Sequence, residues 1–263
     1  MHKELERVNY HGHCERCRHA RGPARSYAEE AIRKGLVRLG ISDHLPFPDD
    51  RFGLRMPYSE MEDYLREIRD LKEEMKGILK IFCGFEGEYF KEDRKYYEEL
   101  LADDRCEYLL LGQHYFPAAQ GGLVNAYQIK DPILCEDYSR SVVEAMKTGY
   151  FRYVAHPDLI FINDFAWDIH CERACDILIE GALRYHFPLE YNANGFRRKK
   201  QMYADGERYP YPYERFWQKV KTAKIDVYVG SDCHEPEQVY DDVVEMAYEK
   251  LEEMGIIPET DWL

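Results

Sequence analysis

Eleven residues near the start of the chain, NYHGHCERCRH (9–19), carry three histidines and two cysteines. Imidazole nitrogens ligate divalent metals and move protons near neutral pH, while a C-x-x-C pair can hold zinc or cycle through a disulfide. In an extended strand His11 and His13 project to the same face, so both can grip one ion, and Gly12 leaves the backbone room. Cys14 and Cys17 form the C-x-x-C, but no second cysteine pair stands at zinc-ribbon spacing, and the surroundings are histidines instead of a redox context. The imidazole reading is therefore preferred.

Further candidates recur at matching places. Short apolar runs lie at 8–13, 37–44, 79–86, 108–114, 152–156, 187–192 and 226–232, bounded by turn residues as buried parallel strands are. Nearly all end in a potential ligand: His11 and His13, His44, Glu86, His114, His156, and Asp232 with His234. With His19, seven of the ten histidines sit at or just beyond these termini; His2, His170 and His186 fall elsewhere and read as structural. A cluster of buried imidazoles cannot satisfy itself with hydrogen bonds, whereas cations resolve it by taking lone pairs.

Something must bring these tips together. Amphipathic stretches separate the runs: SYAEEAIRKG and SEMEDYLREIRDLKEEMKG each open on a capping-box pattern (Ser26 with Glu29, Ser59 with Glu62). AWDIHCERACDILIEGALRYH and PEQVYDDVVEMAYEKLEEMG read as helices too. Strand and helix in alternation imply parallel strands joined by crossovers, and seven units suggest a closed or nearly closed barrel; an open doubly wound sheet is the alternative. In such barrels the carboxyl ends of the strands form the active-site face.

Length and charge narrow the partners. The 263 residues, 45% hydrophobic, can form one large domain spanning 1–263. A net charge of -14 repels nucleic-acid phosphates and anionic membranes but leaves room for a local basic pocket and a small anionic substrate. No run approaches a membrane span or a signal peptide, and eight scattered cysteines read as reduced thiols, so a cytoplasmic monomer or small homo-oligomer is expected.

The segments HGHCERCRH, GISDHLPFP, GFEGEYF, GQHYF, AHPD, NANGFRR and GSDCH, in this order from residue 11 to 234, resemble the motifs of the PHP (polymerase and histidinol phosphatase) family, specifically its stand-alone histidinol-phosphatase-like members. The resemblance implies a distorted (β/α)7 TIM-like barrel with three divalent ions, zinc, manganese or iron. It implies one site at His11, His13, Glu86 and Asp232, a second at Glu86, His114 and His156, and a third at His19, His44 and His234. Glu88 then reads as a solvated or outer acid facing away. The family commonly has Asp at Asn9, Thr at Cys14, Ala at Cys233 and NTSG in place of NANG (192–195), so a carboxylate orienting His11 is expected to be lost or replaced by an amide.

Closely spaced cations suit phosphate-ester hydrolysis by in-line attack of a metal-bridging hydroxide, with Glu86 holding the pair and Asp232 able to accept a proton. Arginine forks match phosphate oxygens. The loop after FPLEYN supplies Arg197 and Arg198, with Asn194 beside them, and the resemblance favours Arg197 as the contact; Arg18 and Arg21 are weaker candidates, and Lys199 and Lys200 read as an exposed turn. The aromatic stretch 202–217 is read as either a lid or a plain loop. The leading expectation is a histidinol-phosphate phosphomonoesterase of histidine biosynthesis. Its alternatives are a PHP-type esterase for another phosphomonoester or a phosphodiester, and a non-catalytic metal-binding or regulatory domain.

Overall fold

A computed structural model describes residues 5–261, so His2 lies outside the described residues. The strands are β1 (Val8–Asn9), β2 (Arg38–His44), β3 (Lys80–Gly87), β4 (Tyr108–Leu111), β5 (Tyr115–Pro117), β6 (Leu123–Asn125), β7 (Leu189–Asn192), β8 (Gln201–Tyr203), β9 (Gly206–Arg208) and β10 (Val227–Gly230). The helices are α1 (Ala24–Arg33), α2 (Met61–Glu74), α3 (Arg94–Leu101), α4 (Ile133–Met146), α5 (Ile169–Tyr185), the single turn α6 (Asn194–Arg197), α7 (Glu214–Ala223) and α8 (Asp242–Met254).

The architecture is an α/β fold around a curled parallel sheet. β1-β2-β3-β4 form a half-barrel, and β10 pairs with β7, also parallel. Isolated parallel bridges lie between the two parts, Leu111↔Val154 and Val154↔Leu189 on one side and Gly12↔Cys233 on the other. The run 152–156, expected as a strand, thus contributes a single bridging residue. His156 has φ 33° and Pro157 has no amide to donate, so the ladder stops there. Two antiparallel hairpins, β5–β6 and β8–β9, extend from the strand-end face.

Register carries the functional consequence. β2 and β3 pair from Arg38↔Lys80 to His44↔Glu86, so two candidate ligands stand side by side on one edge of the pleat. Alternation then puts Phe82, Gly84 and Glu86 on one face. Phe82 joins Tyr10, Tyr108, Leu110, Tyr153 and Tyr228 in a buried aromatic plug beneath the carboxylate.

The caps differ from expectation. Ser26 lies inside α1, which starts behind Pro23, and Ser59 sits in a 3-10 turn (Tyr58–Glu60) ahead of α2; neither side chain caps. Pro23 and Pro57 stand at the entries instead, their carbonyls accepting from the Ser26 and Glu60 amides at 3.0 and 2.9 Å. Side-chain caps appear instead at Asp168, which accepts from the His170 and Cys171 amides, and at Asp241, which accepts from Val244. Among the described residues no helix is long and apolar enough to cross a membrane.

Candidate metal centre

Glu86 ends β3 almost fully buried, and five imidazoles approach its carboxylate. Oε1 lies 2.7 Å from His156 Nε2, 3.4 Å from His114 Nε2 and 3.5 Å from His11 Nε2; Oε2 lies 3.0 Å from His44 Nδ1 and 3.5 Å from His13 Nε2. Asp232 approaches from the other side of the Gly12–Cys233 bridge, with Oδ1 3.1 Å from His13 Nε2 and 3.6 Å from His11 Nε2. His19 and His234 meet at 2.9 Å between their Nε2 atoms. The fold therefore gathers every histidine singled out at a strand end, plus Glu86 and Asp232, at one mouth. It groups them differently in two respects: His19 and His234 come together with Cys17, and His44 turns elsewhere. His44 Nδ1 faces Glu86, and His44 comes together with Glu86 and His114, or with His13 and His234.

The donors fit divalent cations by their own unsatisfied state. Glu86 Oε2 and His44 Nδ1 are buried 3.0 Å apart, yet neither makes a properly directed hydrogen bond. Buried polar atoms are rarely left so, and a cation between them would take a lone pair from each. Burial opposes charge on every ring, yet the facing carboxylates divide them: Glu190 and Glu86 raise His11, Glu86 raises His156, and Asp232 with Asp43 takes His13 up to about 9. Burial pushes the Glu86 carboxyl up, but the charges of His114 and His11 outweigh it and hold it well below the carboxylate range. Burial and then repulsion from His13 drive His44 well below its usual value and His234 down to about 4, leaving neutral imidazoles with free lone pairs.

An outer row of carboxylates aims these rings. Glu190, in β7, places Oε1 2.8 Å from His11 Nδ1, while Oε2 accepts from the His156 amide at 3.0 Å and from Asn192 Nδ2 at 2.8 Å. Asp43 Oδ1 stands 3.5 Å from His13 Nδ1. Glu88 is the outer acid of its two expected readings, though neither solvated nor facing away: it is fully buried, 3.2 Å from His114 Nδ1, and both its oxygens accept from Arg55 at 3.1 and 3.2 Å. Ligating histidines commonly pair their second nitrogen with such an acid, which fixes the tautomer and the ring plane. The carboxylate expected to be missing near His11 is thus supplied by Glu190. Asn9 serves the backbone, its Oδ1 accepting from the His11 and Ser231 amides. Glu190 was missed because only the register of β7 turns it inward; a glutamate inside FPLEYN was the one available signal.

Two glycines are required by these acids. A Cβ on Gly112 would overlap the Glu86 carboxylate, and one on Gly230 would overlap that of Glu190. Two non-glycine residues adopt left-handed backbone at the strand tips, His156 at φ 33° and Asp232 at φ 48°, a strain that concentrates at functional sites.

Above the centre lies a cavity of about 300 Å³ lined by His19, His44, His114, Tyr127, Arg198 and Asp232 among others. Arg197, the favoured phosphate contact, also borders it but is already committed. It donates to Asp241 at 2.9 and 3.0 Å, to Ser231 O at 2.5 Å and to Gln238 O at 2.9 Å, because Asp241 doubles as the cap of α8. Arg198 is the arginine left facing the cavity, its guanidinium 5.9 and 6.0 Å from the Tyr127 and Tyr211 rings. Asn194 donates to Asp232 Oδ2 at 3.0 Å and orients that acid. Arg18 does not line the cavity; it is half exposed, pairs with Glu60 and borders a separate groove. Tyr127, also unforeseen, stacks parallel to His114 at 6.1 Å. The stretch 202–217 divides: Met202 and the β8–β9 turn are exposed, whereas Arg208 lies 3.8 Å from the Tyr203 ring and 4.5 Å from that of Tyr213, and buried Tyr211 reaches within 6.4 Å of the His156 ring.

A model of the PHP domain matches residues 9–194. The chain belongs to the PHP domain family. The PHP chain is 29% identical over 241 residues to a protein of Deinococcus radiodurans named "Probable histidinol-phosphatase", covering 87% of this chain and 86% of that one. It is 27% identical to the "Histidinol-phosphatase" of Bacillus subtilis strain 168, covering 88% and 94%. In fold it is similar to the histidinol phosphate phosphatase of Lactococcus lactis solved with zinc, L-histidinol and phosphate (TM-score 0.72, 16% identity, 97% and 96% coverage).

Proposed function

We propose that this PHP protein is a metal-dependent phosphomonoesterase that hydrolyses L-histidinol phosphate to L-histidinol and phosphate. The observation that carries the reading is the Glu86 carboxylate, buried among five imidazoles with one oxygen unsatisfied. The names of the Deinococcus and Bacillus relatives, and the ligands bound by the Lactococcus enzyme, support the choice of substrate.

His11, His13, Glu86 and Asp232 would hold one ion, Glu86, His114 and His156 a second, and His19, His44 and His234 a third, with the seven parallel segments closed as one distorted (β/α)7 barrel domain. Such ions, when bound, polarise phosphoryl oxygens and make water a nucleophile at neutral pH. The remaining work falls to the side chains. Arg198, held between two tyrosine rings, presents the fork that receives the ester's phosphate inside a chain of net charge -14. Asp232, oriented by Asn194 and facing the histidine pair, is placed to take the proton of the attacking water. Glu190, Asp43 and Glu88 keep the imidazoles aimed.

Elemental analysis joined to phosphate release over a substrate panel tests the proposal. About three ions per chain and a strong preference for L-histidinol phosphate are expected, with His11→Ala and Asp232→Ala inactive yet folded. Turnover confined to diesters, metal without turnover, or near-normal activity in either variant would each refute a named part of it.

A further inference from the structure

Glu235 lines the cavity over the centre at its rim, its side chain 40% exposed, and among the described residues no histidine pairs with its carboxylate. Glu86 and Asp232, the other acids lining it, are surrounded by imidazoles. Among the described residues the ion-pair partner of Glu235 is Arg21, whose Nη1 lies 3.2 Å from Oε1. That arginine is 82% exposed, so the pair is loosely held and the carboxylate remains available to a better-placed cation.

The backbone under Glu235 is fixed on both sides. The His234 amide donates to Gln238 Oε1 at 3.0 Å, and His234 O accepts from the Arg21 amide at 2.8 Å. Pro236 follows, confining Glu235 to the extended region it occupies at φ -136° and ψ 143°. An acid held at a set height beside the metal ligands, in the same cavity as Arg198, gives the site two poles. The cationic pole suits a phosphate dianion. The anionic pole suits a positive charge on the alcohol half of the same molecule.

We propose that Glu235 receives a primary ammonium group carried by the leaving alcohol, so that the cavity selects phosphomonoesters that are also amines. This rests on the phosphomonoesterase reading above and adds to it the residue that distinguishes an amino alcohol from any other. Glu235 is a specificity residue: it touches substrate away from the reacting phosphorus and takes no part in bond cleavage.

The test compares kcat/KM for L-histidinol phosphate with that for phenyl phosphate, which has no amine, in wild type, Glu235→Gln and Arg21→Ala, with metal content measured in each. Calorimetry with L-histidinol alone gives a readout independent of turnover. A charged hydrogen bond inside a pocket discriminates by about tenfold or more, so Glu235→Gln is expected to lower the preference ratio by at least ~10-fold. It should weaken L-histidinol binding in step while metal content holds. Arg21→Ala should keep the ratio or raise it, because it frees the carboxylate. A wild type that prefers the amine-bearing ester, with a Glu235→Gln ratio unchanged, overturns this inference alone. A wild type with no such preference overturns both it and the choice of substrate. A ratio that falls equally in Arg21→Ala would assign the effect to the shape of the pair and not to the charge of Glu235, which also overturns it.

Discussion

Which nitrogen a histidine offers to a metal is decided by what holds the other one. At His11 the holder is Glu190, fully buried and also tied to the His156 amide, so one acid governs two rings of the centre. Glu190→Ala is expected to lower metal affinity by roughly 10–100-fold, read by competition against a chelator of known affinity; an unchanged affinity would remove Glu190 from that role. The two neighbouring arginines divide in the same way between positioning and contact. Arg197→Ala breaks a half-buried ionic network and should cost about 2–3 kcal/mol of stability. Arg198→Ala should leave the melting temperature near wild type and reduce kcat/KM by about 10–100-fold. If thermal melts and kinetics gave the reverse pattern, the assignment of the phosphate contact would fall. Sequence favoured Arg197 because a motif position says where a residue sits along the chain. It carries no sign that Asp241, more than forty positions on, would already occupy the guanidinium.

Strand tips were legible because burial writes itself into the sequence: a short apolar run ending in His or an acid identifies both the strand and its functional end. The register between strands is not written that way, and it is what sets His44 opposite Glu86 and turns Glu190 inward. The helix starts were misjudged for a local reason. A serine followed by a glutamate looks like a cap, yet α1 already starts behind Pro23, three residues earlier than a cap at Ser26 would start it. The hairpins β5–β6 and β8–β9, with strands of three residues each, were too short to show a periodicity. Gly112, at the end of β4, shows how tightly an element can be tied to the site. Its backbone adopts no left-handed conformation, so alanine is conformationally allowed, but the added methyl would meet the Glu86 carboxylate. Gly112→Ala should therefore fold, lose at least one ion per chain by elemental analysis, and lose turnover with it. Full metal content in that variant would mean that the carboxylate is not held where the strand places it.

At the scale of the molecule, the candidate ligands stand on both sides of a seam. His11 and His13 follow β1, Asp232 and His234 follow β10, and between them the backbone is joined by an isolated bridge at Gly12↔Cys233 with the amides of His13 and Asp232 donating across it at 2.9 Å each. The central pairing of β2 with β3 is by contrast seven residues long. Ions held by residues from both edges would fasten the seam, and their free energy of binding adds to folding by mass action, about 4 kcal/mol at a thousandfold excess over the dissociation constant. For a chain of this length each kcal/mol moves the midpoint by roughly 2–4 °C, so exhaustive chelation should lower the melting temperature by about 10 °C and abolish hydrolysis. The loss should also be local. Hydrogen exchange at the His13 and Asp232 amides should accelerate on chelation, while amides in the middle of β2 and β3 keep their protection, since opening of the seam does not require the central ladder to part. Equal acceleration at both places would mean that the ions hold the whole fold together, and no change at either would mean that they do not bridge the seam.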